Sequence, residues 1–203
     1  MAIVAGAAAL GLVSAMPSGP GSIAEALIAE IAASVPASID TFLLTALQDA
    51  EAIIAQHRRC RTSVLQLVDE VAVAGLQRLS VALPGVKRVQ VIHVTGPEAI
   101  ARAQAVAPWV DALLLDSGNP ALAVKQLGGT GRTHDWALSR RIRDGVAPLP
   151  VWLAGGLRAE NVAAAVAAVQ AHGLDLCNGV RSDGQLDAAR LRAFFAALAR
   201  APA

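Results

Sequence analysis

A single aspartate that ends an otherwise apolar run is the strongest candidate for acid–base chemistry. The run is Leu113-Leu114-Leu115, and Asp116 follows it directly. Burial at the end of an apolar strand disfavours the charged carboxylate and raises its pKa, which suits a general acid. An aspartate in this position is also common as a helix N-cap or as a loop residue that accepts backbone N–H groups. Both interpretations of Asp116 are open from the local sequence.

Three glycine-bearing segments follow apolar runs further along the chain and could bind a phosphate. They are Gly128-Gly129-Thr130-Gly131-Arg132-Thr133, Gly155-Gly156 and Asn178-Gly179. Glycine lets backbone N–H groups approach an anion closely, and a helix that begins after such a segment adds positive potential. The spacing matches neither the P-loop nor the dinucleotide-binding fingerprint, and an ordinary turn explains any one segment equally well. The three together favour a phosphate site.

Four further side chains could line the same site. His93 ends an apolar run, although a hydrogen-bonded core histidine is the commoner situation. Gln66 and Asp69 close another run and could bond a sugar hydroxyl or water. Cys177 could react, although a buried cysteine is usually inert. No spacing of histidine, cysteine and carboxylate residues fits a metal site, so the sequence predicts no metal.

Short apolar runs separated by helical patterns predict the elements that position these residues. Runs without strict alternation are typical of strands buried on both faces of a parallel sheet. The predicted strands are Ala9–Ser14, Ile39–Leu44, Ser63–Leu67, Arg88–Val94, Ala112–Asp116, Pro150–Ala154 and Leu174–Cys177.

Amphipathic segments between these runs predict seven helices. A capping pattern at Ser22 to Glu25 opens the first helix, and Gly173 ends the sixth. The predicted helices are Ala24–Ser34, Asp49–Arg58, Val68–Leu79, Pro97–Val106, His134–Asp144, Ala159–His172 and Asp187–Arg200.

This alternation of strands and helices predicts an α/β fold with a parallel sheet and right-handed crossovers. An open doubly wound sheet and a (β/α) barrel both fit, and both gather function at the carboxyl ends of their strands. Seven strands are one short of an eight-stranded barrel, as though a first βα unit were missing. We expect residues 1–203 to form a single domain.

Composition excludes several classes of protein. Hydrophobic residues make up 55% of the chain and charged residues 16%, unlike a disordered protein. The net charge of +1 argues against a nucleic-acid partner. Two cysteines indicate no disulfide framework, so we expect a cytoplasmic protein. The uncharged stretch from Met1 to Ser22 lacks the positive start of a signal peptide, and Gly6, Gly11, Pro17 and Gly19 interrupt it, so no membrane partner is predicted.

The motifs together resemble the phosphoribosylanthranilate isomerase family. The resemblance is strongest from about residue 107 to residue 198, where the order and spacing of the motifs agree. Upstream, residues 10–14, 41–45 and 65–70 resemble the family's second to fourth strands. The matching segments are Leu-Leu-Leu-Asp-Ser at 113–117, Gly-Gly-Thr-Gly-Arg-Thr-His-Asp-Trp at 128–136, Leu-Ala-Gly-Gly-Leu at 153–157 with Asn161, and Asn-Gly-Val at 178–180.

The resemblance implies a (β/α)8 TIM barrel of tryptophan biosynthesis and a phosphorylated sugar as substrate. Family members carry out an Amadori rearrangement of N-(5′-phosphoribosyl)anthranilate without a metal or organic cofactor. Asp116 matches the family's general acid. The residues that match its phosphate-binding loops are Gly129, Thr130, Gly131, Gly155, Gly156, Asn178 and Gly179. We expect a monomer or a homodimer.

The chain departs from the family pattern at three places. It has no Lys-Ile-Cys-Gly segment, whose cysteine is the family's general base, so His93 and Cys177 are only guesses for a replacement. The family's Ser-Pro-Arg motif, whose arginine helps to hold the anthranilate carboxylate, is replaced by residues 16–21, which contain no arginine. Arg181 stands where the family has a glutamate after Ser-Gly-Val. A paralogue that binds a phosphate ligand without isomerising it, or a chain that self-associates through the gap left by the missing strand, therefore remains an alternative.

Overall fold

A computed structural model describes residues 1–18 and 21–201. Seven strands form one sheet in chain order, and every neighbouring pair is parallel. They are β1 (Ala9–Val13), β2 (Asp40–Thr45), β3 (Val64–Leu67), β4 (Lys87–His93), β5 (Ala112–Asp116), β6 (Val151–Leu153) and β7 (Gly173–Leu174). The strand order never reverses, which is the barrel pattern and not that of a doubly wound sheet.

Helices connect the strands and form the outer layer. They are α1 (Glu25–Ser34), α2 (Ala50–Cys60), α3 (Val73–Ala82), α4 (Glu98–Val106), α5 (Trp136–Gly145), α6 (Val162–Val169) and α7 (Ala188–Leu198). Short 3-10 turns precede β1 at Ile3–Ala5, follow α4 at Ala107–Trp109 and follow β7 at Asn178–Val180. None of the helices in the described ranges is long and apolar enough to cross a membrane.

The sheet curls until its distant strands touch. The rings of Phe42 on β2 and Trp152 on β6 meet edge to face, with their centroids 5.9 Å apart. Within residues 1–18 and 21–201, β1 and β7 do not pair with each other, so the curled sheet is open along one seam. The fold is therefore a barrel-type arrangement of seven strands.

Both faces of the strands are buried, which explains the continuous apolar runs. On β5, Leu114 packs into the barrel interior, whereas Leu113 and Leu115 pack outward against the helices. Side chains of successive residues in a strand point to opposite faces, so an apolar residue is needed at every position. Asp116, the last residue of β5, is buried as well.

The capping pattern expected at Ser22 to Glu25 is not formed. Helix α1 begins at Glu25 after Ala24, which makes no side-chain capping bond. Ser22 instead bridges to Val13, and the Ile23 N–H donates to the Val13 carbonyl at 2.9 Å. Pairing with the end of β1 therefore overrides the local helix signal.

Three predicted helices begin later than the sequence suggested. The α3 prediction started at Val68, but Val68 packs into the barrel interior and its N–H donates to the Thr45 carbonyl. The α5 prediction started at His134, but Asp135 is the N-cap and accepts from the N–H groups of Ala137 and Leu138. The α6 prediction started at Ala159, but the helix begins at Val162.

The end of the barrel also differs from the prediction. Helix α6 ends at Val169 because Gln170 adopts a left-handed conformation with φ 51°, so Gly173 is not its stop. Gly173 and Leu174 pair with β6 and are the whole of β7, which is shorter than predicted. A small antiparallel hairpin of β8 (Arg181–Ser182) and β9 (Gln185–Leu186) follows. Its Asp183-Gly184 turn is a common hairpin signal.

Candidate active site

The carboxyl ends of the strands enclose a cavity of about 200 Å³ that opens to solvent. Each of the seven strands, or the residues directly after it, contributes to the wall. The contributors include Gly11, Leu44, Gln66, Val91, Leu114, Ala154 and Leu176. This end of a barrel is where its loops build functional sites.

Asp116 lies in the wall of this cavity with only 8% of its surface exposed. The N–H of Ser117 donates to Asp116 Oδ1 at 2.7 Å. Asp116 Oδ2 faces Gly128, where an added Cβ would lie 3.1 Å away. Burial raises the pKa of Asp116, and the Ser117 hydrogen bonds oppose this only in part. The structure thus gives Asp116 the environment of a general acid.

Asp175 is a second carboxyl group of the cavity that the sequence analysis did not single out. It follows β7 and lines the same wall. Burial, then the charge of Asp116, raises the pKa of Asp175 to about 6, while the Leu176 N–H opposes the change. The sequence signal was the same as for Asp116, an aspartate at the end of an apolar strand, but the overlong prediction for β7 placed Asp175 inside the strand.

The three glycine-bearing segments come together on one side of the cavity. All seven residues assigned to phosphate binding line it: Gly129, Thr130, Gly131, Gly155, Gly156, Asn178 and Gly179. Direct bonds tie the segments to each other and to β5. Asn178 Nδ2 donates to the Gly129 carbonyl at 2.7 Å, and the hydroxyls of Ser117 and Thr130 are 2.6 Å apart. We call this side of the cavity the glycine-loop side.

Two glycines of this side allow backbones to approach more closely than any side chain would permit. A Cβ at Gly156, where φ is +62°, would lie 2.6 Å from the Arg132 carbonyl carbon. A Cβ at Gly179 would overlap the Leu157 carbonyl oxygen. The requirement for glycine here is therefore steric as well as conformational.

Helix α6 begins late because Asn161 holds the glycine loop that precedes it. Asn161 Nδ2 donates to the Gly156 carbonyl at 3.0 Å, and Asn161 Oδ1 accepts from the Arg158 N–H at 2.9 Å. The residues that were predicted as the first turn of a helix are instead fixed as a loop.

Backbone donors remain available on the glycine-loop side. Within the described residues, the N–H groups of Gly129, Gly131 and Gly155 donate to no protein acceptor. Arg181 adds a guanidinium to the cavity wall, and one of its nitrogens donates to the Gly184 carbonyl at 2.7 Å. Unpaired amides together with a cation are what an anion such as phosphate requires.

The opposite side of the cavity is built from β1, β2 and β3. Its lining residues are Gly11, Val13, Met16, Ser18, Leu44, Gln66 and Val68, none of which is charged. The Ser18 hydroxyl donates to the Lys125 carbonyl, which fastens this loop to the segment after β5. Of the loop that lacks the arginine, Gly19 and Pro20 lie outside the described residues. We call this the β1–β3 side.

Of the four remaining candidates, two line this cavity and two border a second one. Gln66 and Cys177 both line the cavity, and Cys177 is exposed. His93 does not line it. Its Nε2 donates to the Val68 carbonyl at 2.9 Å, and its ring borders a separate cavity of about 410 Å³. Burial lowers the pKa of His93, so the ring is neutral near pH 7. Asp69 borders that second cavity too, paired with Lys125 at 2.5 Å.

Metal binding has no support in the part of the chain that the structure describes. Residues 1–18 and 21–201 contain no group of three or more histidine, cysteine or acidic side chains that could hold an ion.

Comparisons with known proteins agree with this arrangement. The model of the N-(5′-phosphoribosyl)anthranilate (PRA) isomerase family matches residues 6–197. A relative from Haloferax volcanii named N-(5′-phosphoribosyl)anthranilate isomerase is 37% identical over 195 residues, which are 95% of this chain and 84% of the relative. The protein of the same name from Thermosynechococcus vestitus is 32% identical over 194 residues, which are 95% of this chain and 81% of the relative.

A solved structure shows the same fold. The crystal structure of phosphoribosyl anthranilate isomerase from Thermus thermophilus superimposes with a TM-score of 0.80 and 28% sequence identity, covering 98% of this chain and 90% of that one. This chain therefore belongs to the N-(5′-phosphoribosyl)anthranilate isomerase family.

Proposed function

We propose that this chain is an isomerase that catalyses the Amadori rearrangement of N-(5′-phosphoribosyl)anthranilate, a step of tryptophan biosynthesis. The observation that carries the proposal is the buried Asp116, which lies in the same cavity as the three glycine-bearing segments. The two relatives that are 32% and 37% identical to this chain over the aligned residues carry the name of this activity.

Asp116 acts as the general acid. Burial raises the pKa of Asp116 and so favours its protonated form, and Oδ2 is the oxygen that Ser117 leaves free. The acid protonates the furanose ring oxygen of the substrate, and the bond from that oxygen to C1 breaks. Proton transfer from a placed side chain typically accelerates such a step by about 10²- to 10⁴-fold.

The glycine-loop side binds the substrate phosphate. The available N–H groups of Gly129, Gly131 and Gly155 and the guanidinium of Arg181 supply donors and positive charge. Holding the phosphate at one end fixes the distance from the sugar ring to Asp116. Positioning of this kind lowers the entropic cost of the reaction step.

The test is turnover of phosphoribosylanthranilate, followed by the loss of substrate fluorescence. Asp116→Asn keeps the shape of the side chain but removes the acid, so turnover should fall by about 10²- to 10⁴-fold while substrate binding persists. The matched control is Asp144→Asn, since Asp144 is an exposed carboxylate on α5 that pairs with Arg140. Unchanged turnover in Asp116→Asn would remove Asp116 from the mechanism.

A second candidate function is a barrel that binds a phosphorylated ligand without isomerising it. The uncharged β1–β3 side favours this alternative, because it offers no cation to an aromatic carboxylate among the described residues. Calorimetry with ribose 5-phosphate and with phosphoribosylanthranilate separates the two. Equal affinity for both ligands without turnover would support the binding protein, whereas turnover would exclude it.

The proposal also covers the number of domains, the class of substrate, the cellular location, the oligomeric state and the cofactor requirement. We take residues 1–203 as one domain, a phosphorylated sugar as the small-molecule partner and the cytoplasm as the location. A monomer and a homodimer are both compatible with the chain, and light scattering of the purified protein distinguishes them. The absence of a metal or organic cofactor stays a prediction, which turnover after treatment with a chelator would test.

A further inference from the structure

The segment that joins β5 to the glycine-loop side forms part of the wall of both cavities described above. We call residues 117–127 the β5 strap. Leu127 of the strap lines the candidate active site, whereas Lys125 lines the second cavity. The strap is closed at its base, because Asn119 and Gln126 exchange backbone hydrogen bonds of 2.7 and 3.1 Å. The position of this one segment therefore shapes both cavities.

Both ends of the β5 strap meet the carboxyl group of Asp116. At the first residue of the strap, the N–H of Ser117 donates to Asp116 Oδ1 at 2.7 Å. At the other end, Leu127 is buried in the barrel interior, and Gly128 follows it and faces Asp116 Oδ2. A shift of the strap would therefore change the surroundings of both oxygens of the proposed acid.

Lys125 links the β5 strap to two other parts of the barrel. Its Nζ pairs with Oδ2 of Asp69, two residues after β3, at 2.5 Å. Its carbonyl accepts the hydroxyl of Ser18, in the loop after β1, at 2.5 Å. One residue of the strap is thus bonded to the ends of both β1 and β3, across the cavity from the glycine-loop side.

Asp69 is a rigid anchor for this link. Its side chain is 8% exposed, the least of any acidic side chain in an ion pair within the described part of the chain. The N–H of Glu70 donates to Asp69 Oδ1 at 2.9 Å, and Gln90 Nε2 donates to the Asp69 carbonyl at 2.9 Å. Breaking an ion pair with a buried carboxylate is costly, because the remaining charge loses its partner, whereas exposed pairs contribute little. The pair therefore fixes the strap more firmly than a surface contact would.

We propose that Lys125 is a positioning residue of the isomerase, whose ion pair with Asp69 holds the β5 strap against Asp116. This inference rests on the proposed function. Lys125 borders the second cavity, so it acts on the reaction through the strap and not by contact with the substrate.

The proposed phosphate-binding amides are held by other bonds. Asn178 Nδ2 donates to the Gly129 carbonyl, and the hydroxyls of Ser117 and Thr130 are 2.6 Å apart. Neither contact involves Lys125. Loss of the ion pair should therefore disturb proton transfer at Asp116 more than phosphate binding.

The direct test is turnover of phosphoribosylanthranilate by Lys125→Met, which keeps the length of the side chain and removes its charge. We expect kcat to fall by about tenfold to 10²-fold, because a misplacement of about 1 Å at a reacting group can cost that much. The KM, and the affinity for ribose 5-phosphate measured by calorimetry, should change by less than about threefold. Lys125→Arg keeps the charge and should restore most of the rate.

The chain offers a matched control in its other lysine. Lys87 and Lys125 are the only two lysines, and Lys87 pairs with Asp40 at 3.3 Å. This exposed pair lies at the first residues of β4 and β2, at the opposite end of the strands from the cavity. Lys87→Met should therefore leave kcat and KM unchanged.

A second variant keeps the test decisive if Lys125→Met folds poorly. Asp69→Asn removes the buried charge, so the double variant Asp69→Asn/Lys125→Met has no unpaired carboxylate at this position. Because the two residues act as one pair, the double variant should lose no more kcat than the more damaging single variant. Circular dichroism checks that each variant is folded.

Hydrogen–deuterium exchange, followed by mass spectrometry, reports on the β5 strap without any substrate. The N–H groups of Asn119 and Gln126 are hydrogen-bonded in the unaltered protein and should exchange slowly. In Lys125→Met, peptides that cover residues 117–128 should exchange faster, whereas peptides from α2 should exchange at the unaltered rate.

The outcomes separate this proposal from the proposed function. Unchanged kcat in the double variant, equal losses in Lys125→Arg and Lys125→Met, or unaltered exchange of the strap in Lys125→Met would each overturn the role of Lys125. Faster exchange of the strap in Lys125→Met, together with no turnover by the unaltered protein, would support the hold on the strap and refute the proposed function.

Discussion

The two sides of the cavity differ sharply although the strands beneath them are alike. The glycine-loop side is held by bonds between loops, such as that from Asn178 to the Gly129 carbonyl, and it carries unpaired amides and Arg181. The β1–β3 side consists of apolar side chains, one hydroxyl and the amide of Gln66. The two aspartates lie at the ends of β5 and β7, within the more elaborate half.

The contrast predicts different roles for the two sides of the cavity. Under the proposed function, interactions with the charged end of the substrate and with the reacting bonds gather in the half after β5, where hydrogen bonds between loops fix the backbone. The β1–β3 side offers shape and apolar surface, and apolar contacts are less sensitive to small displacements than hydrogen bonds. Substitutions on the glycine-loop side should therefore cost more than comparable ones on the β1–β3 side.

The largest difference is expected from Gly156→Ala. Its Cβ would press on the carbonyl carbon of Arg132 at 2.6 Å, so the loops after β5 and β6 must separate. We expect phosphate affinity, measured by calorimetry with ribose 5-phosphate, to fall by about a hundredfold, equivalent to about 2.7 kcal/mol.

The matched control for this substitution is Gly85→Ala. Gly85 also has a positive φ, +84°, but an added Cβ meets nothing within 4 Å. Its cost should be the conformational strain alone, about 1 kcal/mol of stability, without loss of phosphate affinity. Equal effects of the two substitutions on binding would contradict the steric argument.

A second prediction concerns the pH dependence of stability through Asp175. Its pKa is raised from 3.8 to about 6 in the folded protein, so the folded state binds more protons than the unfolded state between these values. The contribution of Asp175 to the free energy of unfolding is present below pH 4 and is lost as the pH rises towards 6. The stability of Asp175→Asn relative to the unaltered protein should thus increase over this interval, by on the order of 2 kcal/mol.

Urea denaturation at several pH values measures this difference directly. The comparison must be between variant and unaltered protein, because burial lowers the pKa of His134 to about 4 and gives the opposite slope over much of the same range. A difference that stays constant from pH 4 to pH 6 would mean that Asp175 titrates normally.

A smaller effect is expected from Asn178→Ala. The substitution removes the bond from Nδ2 to the Gly129 carbonyl and loosens one loop against another. A net loss of about 1 kcal/mol corresponds to a fivefold to tenfold rise in KM at nearly unchanged kcat. A loss of kcat without a change in KM would place Asn178 at the reacting bonds instead of at the phosphate.

The smallest effect is expected on the β1–β3 side, from Gln66→Met. The side chain is 5% exposed and close in volume to methionine, so packing is nearly kept. We expect kcat/KM in the fluorescence assay to change by less than about threefold. A loss as large as that of Gly156→Ala would show that Gln66 binds substrate and would end the proposed division between the two sides.

Local sequence patterns alone predicted many residues of the candidate site. The end of β5 at Asp116 was predicted at the observed residue because a continuous apolar run followed by a carboxylate marks a buried strand end. The glycine-bearing segments were recognisable because close backbone approach needs residues without a side chain. Family resemblance then ordered these segments, and the comparisons confirmed the family.

Other features depended on contacts that no local pattern reveals. The start of α1 was predicted to within one residue, but the capping pattern was wrong because Ser22 and Ile23 pair with Val13 instead. Helix α6 was predicted too long because the bond from Asn161 to the Gly156 carbonyl holds the preceding residues as a loop. Both contacts outweigh helix propensities of a few tenths of a kcal/mol per residue.

The sequence by itself determined the alternation of strands and helices, the carboxyl group at the end of β5 and the glycines of the glycine-loop side, since each follows from neighbouring residue types. Only the tertiary structure decided which polar groups share one cavity. It places Asp175 at the level of Asp116 and His93 beside a different cavity. The register and curl of the sheet determine which side chains are neighbours. Asp116 and Asp175 are 59 positions apart in the chain, so no local sequence pattern predicts that they share a cavity.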